Sequence, residues 1–348
     1  MLYICRYFLF MFLFLLFSLP FGVPTRMSLV DRQVSSEASC MVGDKLYNDV
    51  VQKLNRRNPQ IVLIGSSMLG EAVEQNMLSA MLSKPAAAVW TGGAGSAWWY
   101  LVIKNIIPRM KKKPSVIGVF FRDNFLTLPK HRVNGNHKNF IDDFSTEHEE
   151  LLDRLAYLDQ LNIVTLFMQK YLPIFNKKNL YKKKFDRALK NTVAHMYHFD
   201  NTKKVNQSIA DVFANQNMND AFLHERQLAD DKKHYEYKGQ MQFLPKKTFL
   251  EPIIRLCHDR GISLVLIRVK RRRDLQAGQQ PLKLLTYMAA LKKYFKKNGV
   301  YLIDYTENQS IKLQHFGRGD HLNRQSGRQL FTSMLAADLK KMPAFQSP

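Results

Sequence analysis

"IVLIGSSMLGEAVE", residues 61–74, decides the fold. Its first five residues, Ile61 to Gly65, are apolar without alternation, the pattern of a strand buried on both faces. Ser66 and Ser67 follow at once, and the apolar spacing then becomes helical. A bend of this kind between strand and helix is where an α/β protein exposes a nucleophile. It is also where an ordinary helix places a capping serine. Two hydroxyls at one bend leave both readings open for Ser67.

Outward from this stretch the same alternation recurs. "AAAVW" (86–90), "VIGVFF" (116–121), "SLVLIRV" (263–269) and "VYLID" (300–304) are further candidate buried strands. Helix-length segments lie between them: "EPIIRLCHDRG" (251–261) and "PLKLLTYMAALKKYFKKNG" (281–299) each end in a glycine placed for a left-handed C-cap. The pattern predicts an α/β domain, a three-layer α/β/α sandwich around a mostly parallel, doubly wound five-stranded sheet. Ligands of such sheets bind beyond the carboxyl ends of the strands.

The organisation expected is a first half of this domain over 26–140, a mostly helical insertion with a loose polar middle over 141–245, a second half over 246–340 and a tail over 341–348. Residues 1–25 carry no charge after Arg6 and are packed with Phe and Leu, close to the ~20 apolar residues that span a bilayer. "SLPFGVP" offers no small-residue cleavage site, so an uncleaved membrane anchor or signal-anchor is expected, with the main domain in the periplasm or cell exterior. The 348 residues carry 52 basic and 29 acidic side chains, a net charge of +23. That balance suits anionic partners of several kinds. No nucleic-acid motif accompanies it, so nucleic acid is set aside. Cys5, Cys40 and Cys257 lack metal-ligand spacing and read as free thiols, with a disulfide between two of them left open.

The candidate site gathers four loops, each following a strand or the last of them. Ser67 lies at the start of a helix, where backbone N–H groups favour developing negative charge. His321, in "FGRGDHLNRQSGRQLF" (316–331), is the candidate base. The glycines of "TGGAGSAWWY" (91–100) let backbone approach a ligand, and Asn124 in "FFRDNFLTLP" (120–129) offers an amide donor. "RVKRRRD" (268–274) runs off the fourth strand, so Arg271, Arg272 and Arg273 are candidates for holding an acidic polymer, against the alternative of a solvated loop.

These pieces resemble the SGNH (GDSL-like) hydrolases. Gly65-Ser66-Ser67 looks like the family's Gly-Asp-Ser block with Ser66 in place of the aspartate; Gly95, Asn124 and His321 match the later blocks. The resemblance covers about 60–135 and 248–335 and implies Ser67 as nucleophile, His321 as base, and an oxyanion hole of Ser67 N–H, Gly95 N–H and Asn124. It departs where the family usually has an aspartate three residues before the histidine, for that position is Arg318. Asp320 is then the nearest candidate to orient His321, if the loop turns sharply, and Asp304 a weaker one; without either the pair is a Ser–His dyad. The function expected is a membrane-anchored esterase or O-acyltransferase acting on acyl esters, acetyl above all, of envelope polysaccharide, with no cofactor and no metal. The alternative is a non-catalytic envelope-assembly or carbohydrate-binding protein that keeps the fold.

Overall fold

The computed structural model describes residues 44–157, except 135 and 146–148, and residues 243–346, except 276–279 and 318. The expected anchor over 1–25 and most of the expected insertion, 158–242, lie outside the described residues. The described residues all belong to one compact unit, and none of their helices is long and apolar enough to cross a membrane.

The elements are α1 (Asp44–Arg57), β1 (Ile61–Gly65), α2 (Ser67–Ala72), α3 (Gln75–Leu82), β2 (Ala86–Trp90), α4 (Ser96–Leu101), β3 (Val116–Phe121), α5 (Asn136–Phe144), α6 (Leu250–His258), β4 (Ser263–Arg268), α7 (Leu282–Lys297), β5 (Tyr301–Asp304) and α8 (Gly327–Lys340). Several single turns lie between them, and α4 runs on into a π-helical turn, Val102–Ile106. All five strands are parallel, in the order β2-β1-β3-β4-β5.

Every residue of β1 and β3 is buried, because both faces of the sheet are covered. Val62 and Ile64 of β1 join Ile117, Val119 and Phe121 of β3 in one core, beneath α1, α4, α5, α6 and α7. Ile61 and Leu63 join Val116 and Phe120 in the other, beneath α2, α3 and α8. Each buried aliphatic side chain contributes roughly 1.5–3 kcal/mol, so the continuous apolar runs give the sheet its place at the centre. Helices α6 and α7 end before Gly261 and Gly299, which take φ of +59° and +64°, the left-handed conformation that reverses the chain toward the next strand. The helix α5 runs across residue 141, and Leu152 and Ala156 are buried in the same core. The opening of the segment read as an insertion is thus packed on the sheet domain.

The strand order reverses direction between β1 and β3. The chain leaves β1 toward β2 on one side and returns past it to β3 on the other, opening a crevice at the carboxyl ends of these two strands. Gly65 permits the turn into α2. A Cβ there would lie 2.8 Å from the Leu69 Cβ and 3.0 Å from the Phe120 Cβ, neither of them the far end of a flexible side chain. Gly65→Ala is therefore expected to lower stability by about 1–3 kcal/mol through overpacking, read as a lower urea midpoint at unchanged slope.

Candidate active site at the β1–β3 crevice

The two serines that end β1 have different partners. Ser66 is the N-cap of α2: its hydroxyl accepts from Met68 N–H at 3.4 Å and its carbonyl from Leu69 N–H at 2.9 Å. Ser67 is the first helical residue, and its Oγ lies 2.9 Å from His321 Nε2 across 254 residues of sequence. Capping falls to Ser66, which leaves the Ser67 hydroxyl to the histidine.

The loop that presents His321 is fixed by its own backbone and by one buried amide. Phe316 and Leu322 form an antiparallel bridge, and Gly317 N–H donates to the His321 carbonyl at 2.8 Å. Asn323, fully buried, accepts through Oδ1 from the N–H groups of Ser326 and Gly327, both at 2.9 Å, and donates to the Gln314 carbonyl at 2.6 Å. The loop is then tied to the helix that carries Ser67. Arg324 donates to both oxygens of the buried Glu71 carboxylate of α2, at 2.9 and 3.1 Å, and Arg328 donates to the Gly70 carbonyl. This two-pronged charged pair has the fork geometry that holds best.

Asp320 does not turn to its neighbour's ring. One carboxylate oxygen accepts from Arg122 at 2.7 Å and the other from Arg272 N–H at 3.2 Å. Adjacent side chains diverge, and Asp320 ties the His321 loop to the ends of β3 and β4. Asp304 is engaged with Arg268 at 3.3 Å and with Thr306 Oγ1 at 2.6 Å, so neither carboxylate considered from the sequence is directed to His321.

Ser67 and His321 open on a cleft of about 210 Å³, walled by Gly93, Ala94, Trp99, Phe121, Arg122, Phe125, His131 and Arg132. Gly95 and Asn124 stand directly behind this wall. Gly95 is the N-cap of α4, and a Cβ on it would meet the His131 carbonyl at 2.8 Å; Gly93 and Ala94 face the cleft in its place. Asn124 is 1 % exposed, between Arg122 and Phe125, which do line the cleft. Asp123 before it holds a left-handed backbone, φ +48°, which ordinarily costs about 1–2 kcal/mol outside glycine. Its carboxylate is held by Arg271 at 3.0 Å in a pair that is 1 % exposed on both sides.

That pair corrects the expectation for "RVKRRRD". Arg271 and Arg272 are buried, at 1 % and 2 % exposure, and present no surface to a polymer. Arg271 also binds Asp274 at 3.0 Å, while the Arg272 backbone meets Asp320. They brace the floor of the strand ends. The Arg273 side chain lies outside the described residues. The cations that do line the cleft, Arg122 and Arg132, were missed from the sequence. Arg122 carried a signal, since it is the first residue beyond β3. Cys257 is a buried free thiol whose pKa burial pushes up to about 12, too high for a reactive thiolate.

No family model matches the chain and no curated protein matches it. Among solved structures it is similar to a candidate acylhydrolase from Bacteroides fragilis, at 10% identity and TM-score 0.38, over 85% of this chain and 95% of that one. A GDSL-like lipase from Bacteroides thetaiotaomicron has the same identity and TM-score, over 86% of this chain and 98% of that one. A gut microbial diltiazem-metabolizing enzyme is similar at 10% identity and TM-score 0.30, over 80% of this chain and 46% of that one. Likeness at this level carries no argument, and the site stands on its own geometry.

Two outcomes follow for the charges beneath the cleft. Asp123→Ala removes from the buried Arg271 one of the carboxylates that it pairs with. The expected loss is about 3 kcal/mol in chemical denaturation, the low end for a broken buried pair. Burial opposes ionisation of Asp304 but is outweighed by Arg268, the Thr306 hydrogen bonds and Lys292, so its pKa lies below the ordinary carboxylate value. A depressed pKa contributes stability that is present above the unfolded value and is lost as pH falls through the folded one. Asp304→Asn is expected to flatten the acid limb of the stability–pH curve, measured by urea midpoints from pH 7 downward.

Proposed function

We propose that the chain is an SGNH-like serine hydrolase or acyltransferase acting on esters through an acyl-Ser67 intermediate. The observation that carries this reading is the 2.9 Å approach of Ser67 Oγ to His321 Nε2, at the open end of a parallel sheet. With Nε2 unprotonated the hydroxyl donates to it. Its oxygen then attacks the acyl carbonyl carbon as the proton passes to the imidazole. The carbon–alkoxy bond breaks, His321 returns the proton to the leaving alcohol, and water or a second alcohol repeats the sequence on the acyl-enzyme. The Ser67 N–H, at the first position of α2, is the nearest candidate donor for the oxyanion. The family pattern completes the hole with the Gly95 N–H and the Asn124 amide, which here lie behind the wall formed by Ala94 and Phe125.

The finer reading is a membrane-anchored enzyme acting on acyl esters of envelope polysaccharide. It is supported by the uncharged apolar stretch between Arg6 and Arg26, which as a membrane anchor would bring polymer and lipid within reach of the domain. Labelling of the full chain with a fluorophosphonate probe tests the mechanism. Ser67 is expected to carry the label, and Ser67→Ala to abolish labelling and ester turnover while the protein stays folded. His321→Ala is expected to slow both by at least a hundredfold, the scale of general-base catalysis. Ser66→Ala is expected to cost about 1 kcal/mol of stability through its lost cap and less activity than Ser67→Ala. Undiminished turnover in Ser67→Ala overturns the acyl-enzyme, and a folded wild-type chain that takes no label supports the non-catalytic alternative.

A further inference from the structure

Two contacts join the histidine loop to α2, and they are spaced alike on both sides. Ser67 and Glu71 are four residues apart in a helix of six, so their side chains leave one face, a turn from each other. His321 and Arg324 are three residues apart in a loop that is shaped from within. Between them the fully buried Asn323 accepts from the N–H groups of Ser326 and Gly327, where α8 begins. The first contact is Ser67 Oγ with His321 Nε2, at 2.9 Å. The second is the Glu71 carboxylate with Arg324 Nε and Nη2, at 2.9 and 3.1 Å. They stand side by side like rungs of a ladder, and of the four residues only Ser67 and His321 line the cleft.

The second rung is the one able to fix a position. Glu71 and Arg324 meet as planar, charged groups in two parallel bonds, which set orientation as well as distance. Glu71 is 8 % exposed and Arg324 34 %, so the pair is partly shielded from the water and salt that weaken surface pairs. The bond to Glu71 raises the Arg324 pKa, which keeps the guanidinium charged. Arg328 adds its own bond to the Gly70 carbonyl one residue earlier in α2. Burial lowers the Arg328 pKa, and the Glu71 charge works against it. One buried carboxylate thus serves two arginines of the segment that follows His321. The helix has no slack on its other side: a Cβ on Gly70 would meet the Trp90 indole at 2.5 Å. Just past its end, the Glu74 N–H donates to Thr332 of α8 at 3.0 Å. The seating of the loop on this fixed helix therefore decides where the imidazole stands.

We propose that Glu71 and Arg324 are positioning residues: their ion pair seats the loop on α2 and so sets His321 at hydrogen-bonding distance from Ser67. The inference rests on the proposed ester chemistry for what the pair serves, and on the two contacts alone for its place. A misplacement of about 1 Å at reacting groups costs on the order of a hundredfold in rate.

Because neither residue lines the cleft, the loss is expected in the chemical step and not in binding. With 4-nitrophenyl acetate and the full chain, Arg324→Gln is expected to lower kcat at least about tenfold while KM stays within about twofold. Labelling of Ser67 by a fluorophosphonate probe slows in the same proportion. Glu71→Gln is expected to behave as Arg324→Gln does. Arg324→Lys, which keeps the charge and loses the fork, recovers part of the rate. A brace that serves stability alone lowers the urea midpoint and leaves the folded protein's kcat unchanged. That outcome, or a loss confined to KM, overturns the proposal. Where Arg324→Gln does not fold, Arg324→Lys decides, and a wild-type kcat in it overturns the proposal. If the wild-type chain turns over no ester and takes no label, the proposed reaction fails. The placement is then judged by NMR of the histidine-labelled chain, with the His321 ring signal assigned by its absence in His321→Gln. Ser67→Ala is expected to shift the His321 pKa in the wild-type background and to leave it unmoved in Arg324→Gln. A shift of equal size in both backgrounds, or in neither, overturns the proposal.

Discussion

The parallel pairing of β1 with β3, Ile61 beside Val116 through Ile64 beside Val119, is the constraint on which the rest of the molecule depends. Parallel neighbours cannot be joined by a hairpin, so every connection crosses a face of the sheet and every strand ends at the same edge. Four polar loops, those after β1, β2, β3 and β5, are thereby delivered to one rim, and the reversal of strand order opens a space between two of them. The 2.9 Å contact between residues 67 and 321 is a product of that topology. It requires no long-range signal in the sequence beyond five apolar runs of the right length.

Those runs made the sheet legible. Strands read at 61–65, 86–90 and 116–121 coincide with the observed ones, and the last two are each one residue shorter than expected. A strand covered on both faces must be apolar throughout, so its pattern is written locally. Ser67 was legible for a related reason, since a polar, chemically capable residue at the end of such a strand has few structural roles there; His321 lies well beyond β5, in a polar loop where a histidine is not a core residue. The residues alone left both readings open for Ser67 and the resemblance gave it the nucleophile's place; which of the two serines caps the helix depends on which hydroxyl meets the backbone of the next turn.

Charge was the part that sequence misrepresented. A run such as Arg271-Arg272-Arg273 reads as solvated or polymer-binding, since arginine is seldom buried. Here two of the three are buried: the Arg271 guanidinium meets Asp123 from the end of β3 and Asp274 close by in sequence, and the Arg272 backbone meets Asp320 from the histidine loop. Only Asp274 is visible locally. Asp320, read as the partner of His321, belongs to that same brace. Once the domain is folded, the chain's excess of basic residues says less about partners than the few that reach the cleft.

The bidentate Arg324–Glu71 pair has a kinetic meaning beyond its geometry. It couples the segment that carries His321 to the short helix that carries Ser67, and Arg328 adds a second tie to the same helix. Thermal motion that displaces one then carries the other along, and the separation of Oγ and Nε2 is preserved while both move. Neither Glu71, Arg324 nor Arg328 lines the cleft, so the ties that set the separation of the two residues lie behind it and are left untouched when it is filled.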